Sequence, residues 1–200
     1  MIDTLYSIFR EKWSNGRGCF LVSDTHFSDE DRHLMGYDIT EEEQIAVLKK
    51  YVNGQTLIHL GDVGNPEYLK ELNCYKVLIM GNHDERVGKF KDYFDEIYTG
   101  PLFIAEKLVL SHEPICVEAG ITRNPIAFNI HGHDHSGEYY NDDYHLNICQ
   151  NVFGYEPLNL KEFIKDGILK SVKSIHREII DNATNKKKEI KGNIWSNSIC

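Results

Sequence analysis

The chain has 200 residues, 41% of them hydrophobic and 26% charged, with a formal net charge of -9. This composition suits one globular domain with a full core, and the acidic balance disfavours a protein that lives on nucleic-acid backbone. No apolar run approaches the roughly 18 residues of a membrane span, and Met1-Ile2-Asp3-Thr4 lacks the basic and apolar regions of a signal peptide, so a cytoplasmic protein with no membrane partner is expected.

Residues 3–13 have helical periodicity, with Leu5, Ile8, Phe9 and Trp13 on one face and Asp3 or Thr4 as cap. After a turn at 14–18, Cys19-Phe20-Leu21-Val22-Ser23 reads as a buried strand that delivers Asp24-Thr25-His26. Residues 27–39 are polar and irregular, as an active-site loop would be. Thr40-Glu41-Glu42-Glu43 has the form of a capping box and opens a helix with Ile45, Leu48 and Tyr51 inward, closed by Asn53-Gly54. Thr56 to Leu60 is a second strand, ending at Gly61-Asp62. Asn65-Pro66 starts a short helix with Tyr68, Leu69 and Leu72 inward. Tyr75 to Met80 is a third strand, and Gly81-Asn82-His83-Asp84 follows it.

This alternation predicts a parallel sheet with helices on its faces. The second half is different: short runs at Leu102 to Ile104, Leu108 to Leu110, Ile126 to Ile130 and His145 to Ile148 suggest a second, more antiparallel sheet. The expected fold class is α/β, a two-sheet sandwich of mixed β-sheets flanked by helices. Helical periodicity returns with Leu160, Phe163 and Ile164, then with Ile168, Val172, Ile175 and Ile179, before the basic Lys186-Lys187-Lys188. With no repeat or linker in view, residues 1–200 are read as one domain, with 157–190 a helical extension packed on it.

The chemistry gathers where the apolar runs stop. His26, His83, His112, His131, His133 and His135 all sit at such ends, and in open α/β sheets ligands bind at the carboxyl edge. Burying adjacent polar groups is costly without partners. A metal together with a phosphate would supply them, and a metal inverts the local field of an acidic protein. The five cysteines (Cys19, Cys74, Cys116, Cys149, Cys200) are odd in number and contain no C-x-x-C pair, which argues against a disulfide framework or a thiolate zinc site.

Taken in order, Asp24-Thr25-His26, Gly61-Asp62, Gly81-Asn82-His83-Asp84, His112 and Gly132-His133-Asp134-His135 form a pattern that resembles the calcineurin-like metallophosphoesterase superfamily. Details such as Asp24-Thr25-His26-Phe27 and Ser111-His112-Glu113-Pro114 are similar to its small stand-alone bacterial-type members. The resemblance implies a fold of the αββα, metallo-dependent phosphatase type and a dinuclear centre. Asp24, His26, Asp62 and His135 would hold one ion, and Asp62, Asn82, His112 and His133 the other. His83 would be the general acid that protonates the leaving oxygen, and Asp84 would orient His83 and hold its charge. A hydroxide held between the ions would attack phosphorus. The mixed nitrogen and oxygen donors suit two divalent ions, manganese first, with iron, zinc or nickel as alternatives.

The string His131-Gly132-His133-Asp134-His135 offers three imidazoles; the family pattern selects His133 and His135 and leaves His131 at a strand end. His59 lies inside a strand and reads as a satisfied core histidine. His33 and Arg32 are either substrate contacts or solvated loop residues, and Arg86 is either a phosphate contact or a helix start. The function expected is hydrolysis of a small phosphomonoester or phosphodiester. The alternatives are a nuclease, for which the chain offers little length or positive charge, and a non-catalytic protein-binding scaffold, which the retained His83 argues against. Residues 27–39 and 113–125 would form the substrate rim. The substrate's identity, the choice between monoester and diester, and the oligomeric state are not written in the sequence.

Overall fold

The computed structural model describes residues 16–170 except 106, 120–123 and 126, together with residues 3, 4, 13, 172 and 185. The first sheet is built on β2 (Cys19–Val22), β3 (Thr56–His59), β4 (Tyr75–Ile79) and β5 (Glu96–Tyr98), all parallel, with the short β12 (Leu158–Asn159) antiparallel along the outer edge of β2. In register, Leu21 lies beside Ile58 and Ile58 beside Val77, while Phe20, Leu57 and Lys76 form the next row.

These strands are apolar on both faces because both faces are covered, as parallel sheets require. One face, with Leu21, Ile58, Val77 and Ile79, packs against Ile104, Leu108, Leu110, Phe128 and Ile130 of the second sheet. The other, with Phe20, Val22, Leu57 and Leu78, packs against Ile45, Leu48 and Val52 of α1 (Glu41–Val52), Leu69 and Leu72 around a 3-10 helix (Pro66–Glu71), and Phe90 of the short α2 (Val87–Phe90). The capping box is present as read: Thr40 Oγ1 accepts from Glu43 N at 3.2 Å, and the Glu43 carboxylate accepts from Thr40 N at 2.9 Å.

The second sheet runs β1 (Asp3–Thr4), β6 (Leu102–Ala105), β7 (Leu108–Leu110), β10 (Phe128–His131), β11 (His145–Asn147). A two-stranded ribbon of β8 (Glu118–Ala119) and β9 (Asn124–Pro125) lies apart from it. The expectation of a more antiparallel sheet does not hold. Among the described residues of this sheet, only the tight β6–β7 connection makes an antiparallel pair; β1–β6, β7–β10 and β10–β11 are parallel. Short strands suggested hairpins, but the segments 111–127 and 132–144 are long enough to cross back and re-enter in the same direction. Both carry site residues, so the crossover loops are where the chemistry sits.

The opening helix also needs correction at its start, because Asp3–Thr4 is a strand paired with Leu102–Phe103. Leu5, Ile8 and Phe9 lie outside the described residues. Trp13 is fully buried between the sheets, with Nε1 donating to Glu96 at 3.1 Å. After α3 (Gln150–Phe153), β12 leads into α4 (Leu160–Lys165), which Asn159 caps; Leu160 and Val172 enter the inter-sheet core, and Phe163 meets Phe128 edge to face. A further 3-10 turn spans Ile168–Lys170. Of the proposed extension over 157–190, residues 171, 173–184 and 186–190 lie outside the described residues, including Ile175, Ile179 and Lys186 to Lys188.

Candidate metal centre

The carboxyl ends of β2, β3 and β4 open on the same edge as those of β7 and β10. That edge gathers all seven metal-ligand candidates. Asp24, His26 and His135 offer ligand atoms within 4.8 Å of one another, and so do Asp62, His112 and His133. Asp62 Oδ2 joins the two groups, at 3.7 Å from His26 Nε2 and 3.3 Å from His112 Nε2. Asn82 completes the second group, its Oδ1 lying 2.8 Å from His112 Nε2 and 3.0 Å from His133 Nδ1.

The donor set fits a divalent cation for a reason visible in the hydrogen bonds. His26 Nδ1 meets Asp29 Oδ2 at 3.0 Å, His112 Nδ1 meets the Leu60 carbonyl at 2.8 Å, and His135 Nδ1 meets Asn151 Oδ1 at 2.9 Å. Each of these nitrogens faces an acceptor and so carries the proton, which turns the Nε2 lone pair toward the cluster. There it faces other lone pairs: His26 Nε2 and Asp24 Oδ1 are buried, 3.9 Å apart, and hydrogen-bonded to nothing among the described residues. Buried unpaired acceptors are rare in folded proteins, and a cation between them removes the cost.

The electrostatics agree. Burial pushes the Asp62 carboxyl up, but hydrogen bonding and charge from His112, the His83 N–H and His26 more than offset it and hold it at about 2. Burial also works against a charged His112, yet its bond to Asp62 and the nearby charges of Asp24 and Asp62 raise it to about 9. The pocket therefore demands positive charge, which a proton on His112 or a metal ion supplies.

The local backbone is shaped for this convergence. Asp24, His26, Asp62 and His133 all have positive φ, between 44° and 68°, a region non-glycine residues seldom occupy and one that marks functional sites. Gly81 and Gly132 are glycine because a methyl group would overlap the carboxylates of Asp62 and Asp24 respectively. Across the sheets, Asp24 Oδ2 accepts from His133 N at 3.0 Å, so one candidate ligand fixes the turn that presents another.

His83 stands at the solvent side of the cluster, its N–H bonded to Asp62 Oδ1 at 2.9 Å and its ring 5.4 Å from that of His26. Asp84 is placed differently from the expectation that it orients the His83 ring. Its buried carboxylate accepts from the backbone N–H of Gly81 (3.0 Å), Asp62 (2.8 Å) and Val63 (3.1 Å). It clamps the turn after β4 onto the turn after β3, and burial pushes its carboxyl up. The hydrogen bonds of Asp84 go to three amides of the two tight turns, which lie within its reach.

His131 is outside the cluster, as the family pattern indicated; its nitrogens face the carbonyls of Gly132 and Tyr140 at 2.8 Å each. Arg32 is no substrate contact. It is buried, reaching the Thr25 carbonyl at 2.5 Å and Gln44 Oε1 at 3.0 Å with its guanidinium over Tyr37, so it pins the 27–39 loop to α1. His33 is exposed with Nδ1 at the Glu30 carbonyl, and Arg86 is exposed at the start of α2. Sequence reasoning missed Asp29, Asn151 and Tyr37. Asp29 had a signal, three residues after His26; Asn151 comes from α3, whose position beside the site no local pattern reveals.

Two clefts flank the centre. A cavity of about 280 Å³ on the Asn82 and His112 side reaches Met80, Thr99 and Glu113. A larger one, about 580 Å³, opens beside His26 and His83 and is walled by Asp29, Glu30, Asp31 and Lys89. Residues from both expected rim segments therefore border the site.

Comparison with known proteins agrees with this geometry. None of the curated proteins matches the chain. Among solved structures, a protein of unknown function from Aquifex aeolicus is similar at 27% identity and a TM-score of 0.59, covering 74% of this chain and 98% of that one. Nuclease MPE from Pseudomonas putida shares 24% identity at a TM-score of 0.40, over 57% of this chain and 60% of that one. No helix among the described residues is long and apolar enough to cross a membrane. The profile of the calcineurin-like phosphoesterase superfamily domain matches residues 19–148, which contain every candidate ligand described above, and the chain belongs to that superfamily.

Proposed function

We propose that the protein is a hydrolase of phosphoric esters that works with two divalent metal ions. The observation that carries this reading is the pair of buried, unpartnered acceptors, Asp24 Oδ1 and His26 Nε2, inside a ring of further lone pairs. Asp24, His26, Asp62 and His135 would hold one ion, and Asp62, Asn82, His112 and His133 the other, with Asp62 shared. Two ions so held would supply Lewis-acid activation of water and positive charge for the phosphoryl oxygens.

The chain's own residues do the rest. Asp29, the Leu60 carbonyl and Asn151 hold three imidazoles with their lone pairs inward. His83 is placed by its backbone bond to Asp62 so that its exposed ring can deliver a proton to the departing oxygen. Asp84 supports that step at one remove, by fixing the turn on which His83 stands. Manganese is the first choice of metal, with iron, zinc or nickel the alternatives.

The test is hydrolysis of bis-p-nitrophenyl phosphate and p-nitrophenyl phosphate. Turnover that appears with added Mn²⁺ and disappears on chelation is expected. Silence toward both esters with manganese, iron, zinc and nickel would overturn the reading.

A further inference from the structure

We infer that the ester cleaved here releases a neutral or cationic alcohol, and that the site disfavours leaving groups that carry further negative charge. The inference rests on the phosphoesterase reading and concerns the half of the substrate that departs. His83, the proton donor in that reading, marks the leaving side. The cleft of about 580 Å³ opens on that side. Its inner end is formed by His26, the buried candidate ligand that lines the cleft together with His83.

The walls of this cleft are not neutral. Asp29, Glu30 and Asp31 are consecutive in the chain and all border it, against the single ammonium of Lys89. Lys89 Nζ is itself drawn to the Gly64 carbonyl at 2.8 Å. The next cation along the loop, Arg32, is buried on other business, with its donors on Thr25, Ile39 and Gln44 and Nε near Glu41. Three carboxylates against one ammonium leave the wall negative at neutral pH. The metal centre attracts the phosphoryl group, and this wall then sorts what is attached to it. A choline-like or polyol alcohol is accommodated. A second phosphate, a carboxylate or a running nucleic-acid strand is repelled. The cleft on the Asn82 side has one carboxylate, Glu113, along its wall.

The experiment compares three aliphatic phosphomonoesters whose leaving groups carry charges of +1, 0 and -1: phosphocholine, glycerol 3-phosphate and 3-phosphoglycerate. The same three are run as methyl phosphodiesters, so that either ester class is covered. Relative kcat/KM is expected to fall in that order, by about fivefold per unit charge at low salt, as for charges acting across a partly solvated cleft. The spread should narrow in molar salt. The E30Q/D31N double variant should collapse it, and K89Q should widen it. A flat or reversed order overturns the inference, as does a spread that E30Q/D31N leaves intact, or hydrolysis of nitrophenyl esters with no turnover of any aliphatic ester. No turnover of the nitrophenyl esters either would instead defeat the phosphoesterase reading, and this inference with it.

Discussion

The hydroxyl of Thr25 lies 2.9 Å from Nε2 of His59, buried beneath the candidate metal centre. Gly61 N–H donates to Nδ1 of the same ring at 3.2 Å, and Thr25 Oγ1 donates onward to the Val63 carbonyl at 2.9 Å. The direction of the chain is thereby set: Nδ1 accepts, Nε2–H donates, and the imidazole is neutral. One buried histidine thus ties the turn carrying Asp24 and His26 to the turn carrying Asp62.

This network predicts acid sensitivity with a definite sign. Burial lowers His59 to about 3, against about 6.5 for an unfolded histidine. The folded state cannot take up the proton that the unfolded state accepts, so stability is lost as pH falls from about 6.5 toward 3, by up to about 1.4 kcal/mol per unit. In urea denaturation of the metal-free protein, H59Q should show a flatter stability profile than wild type between pH 6.5 and 4. Parallel profiles would mean that His59 plays no part.

Removing the proton donor should separate binding from chemistry. H83A is expected to retain wild-type metal content and lose about 10²–10⁴ in kcat. The loss should be largest for esters of poorly acidic alcohols, which depend most on protonation. Metal analysis beside kinetics on a leaving-group series checks this, and an unchanged rate at full metal content rules out the acid role.

Asp84 should behave as a structural clamp. D84N removes charge from a buried group that accepts three backbone N–H bonds and turns an amide NH₂ toward one of those donors. A cost of about 2–4 kcal/mol in urea denaturation is expected, together with weakened metal binding as Asp62 and Gly81 shift. A D84N protein of wild-type stability would show that the clamp is dispensable.

Asn151 should matter to one ion more than the other. Its Oδ1 receives His135 Nδ1 at 2.9 Å, while its Nδ2 holds the carbonyls of Met35 and His135 at 2.8 Å each. N151A is expected to weaken the Asp24, His26 and His135 group by about 10–100-fold, the usual effect of losing a partner behind a metal ligand, and to leave the Asp62, His112 and His133 group nearly intact. Chelator-competition titration resolved into two steps tests this; equal weakening of both steps would refute it.

The alternation of strand and helix through Ile79 and the family pattern from Asp24 to His135 are local, and both were legible along the chain. Thr40 and Glu43, three positions apart, announce their helix, and the apolar runs announce buried strands. The direction of the second-half strands was not legible, because the segments 111–127 and 132–144 read equally as hairpin loops or as crossovers until their strands are seen to pair.

The sequence by itself determined which side chains would meet, because their identity and order follow a shared pattern. Only the tertiary structure decided which atom of each faces inward. That choice depends on partners distant in the chain, such as Asn151 behind His135, Leu60 behind His112 and the three amides that turn Asp84 away from His83. Hydrogen bonds of that kind act over about 3 Å of space, and a linear sequence carries no record of which residues are brought within that reach.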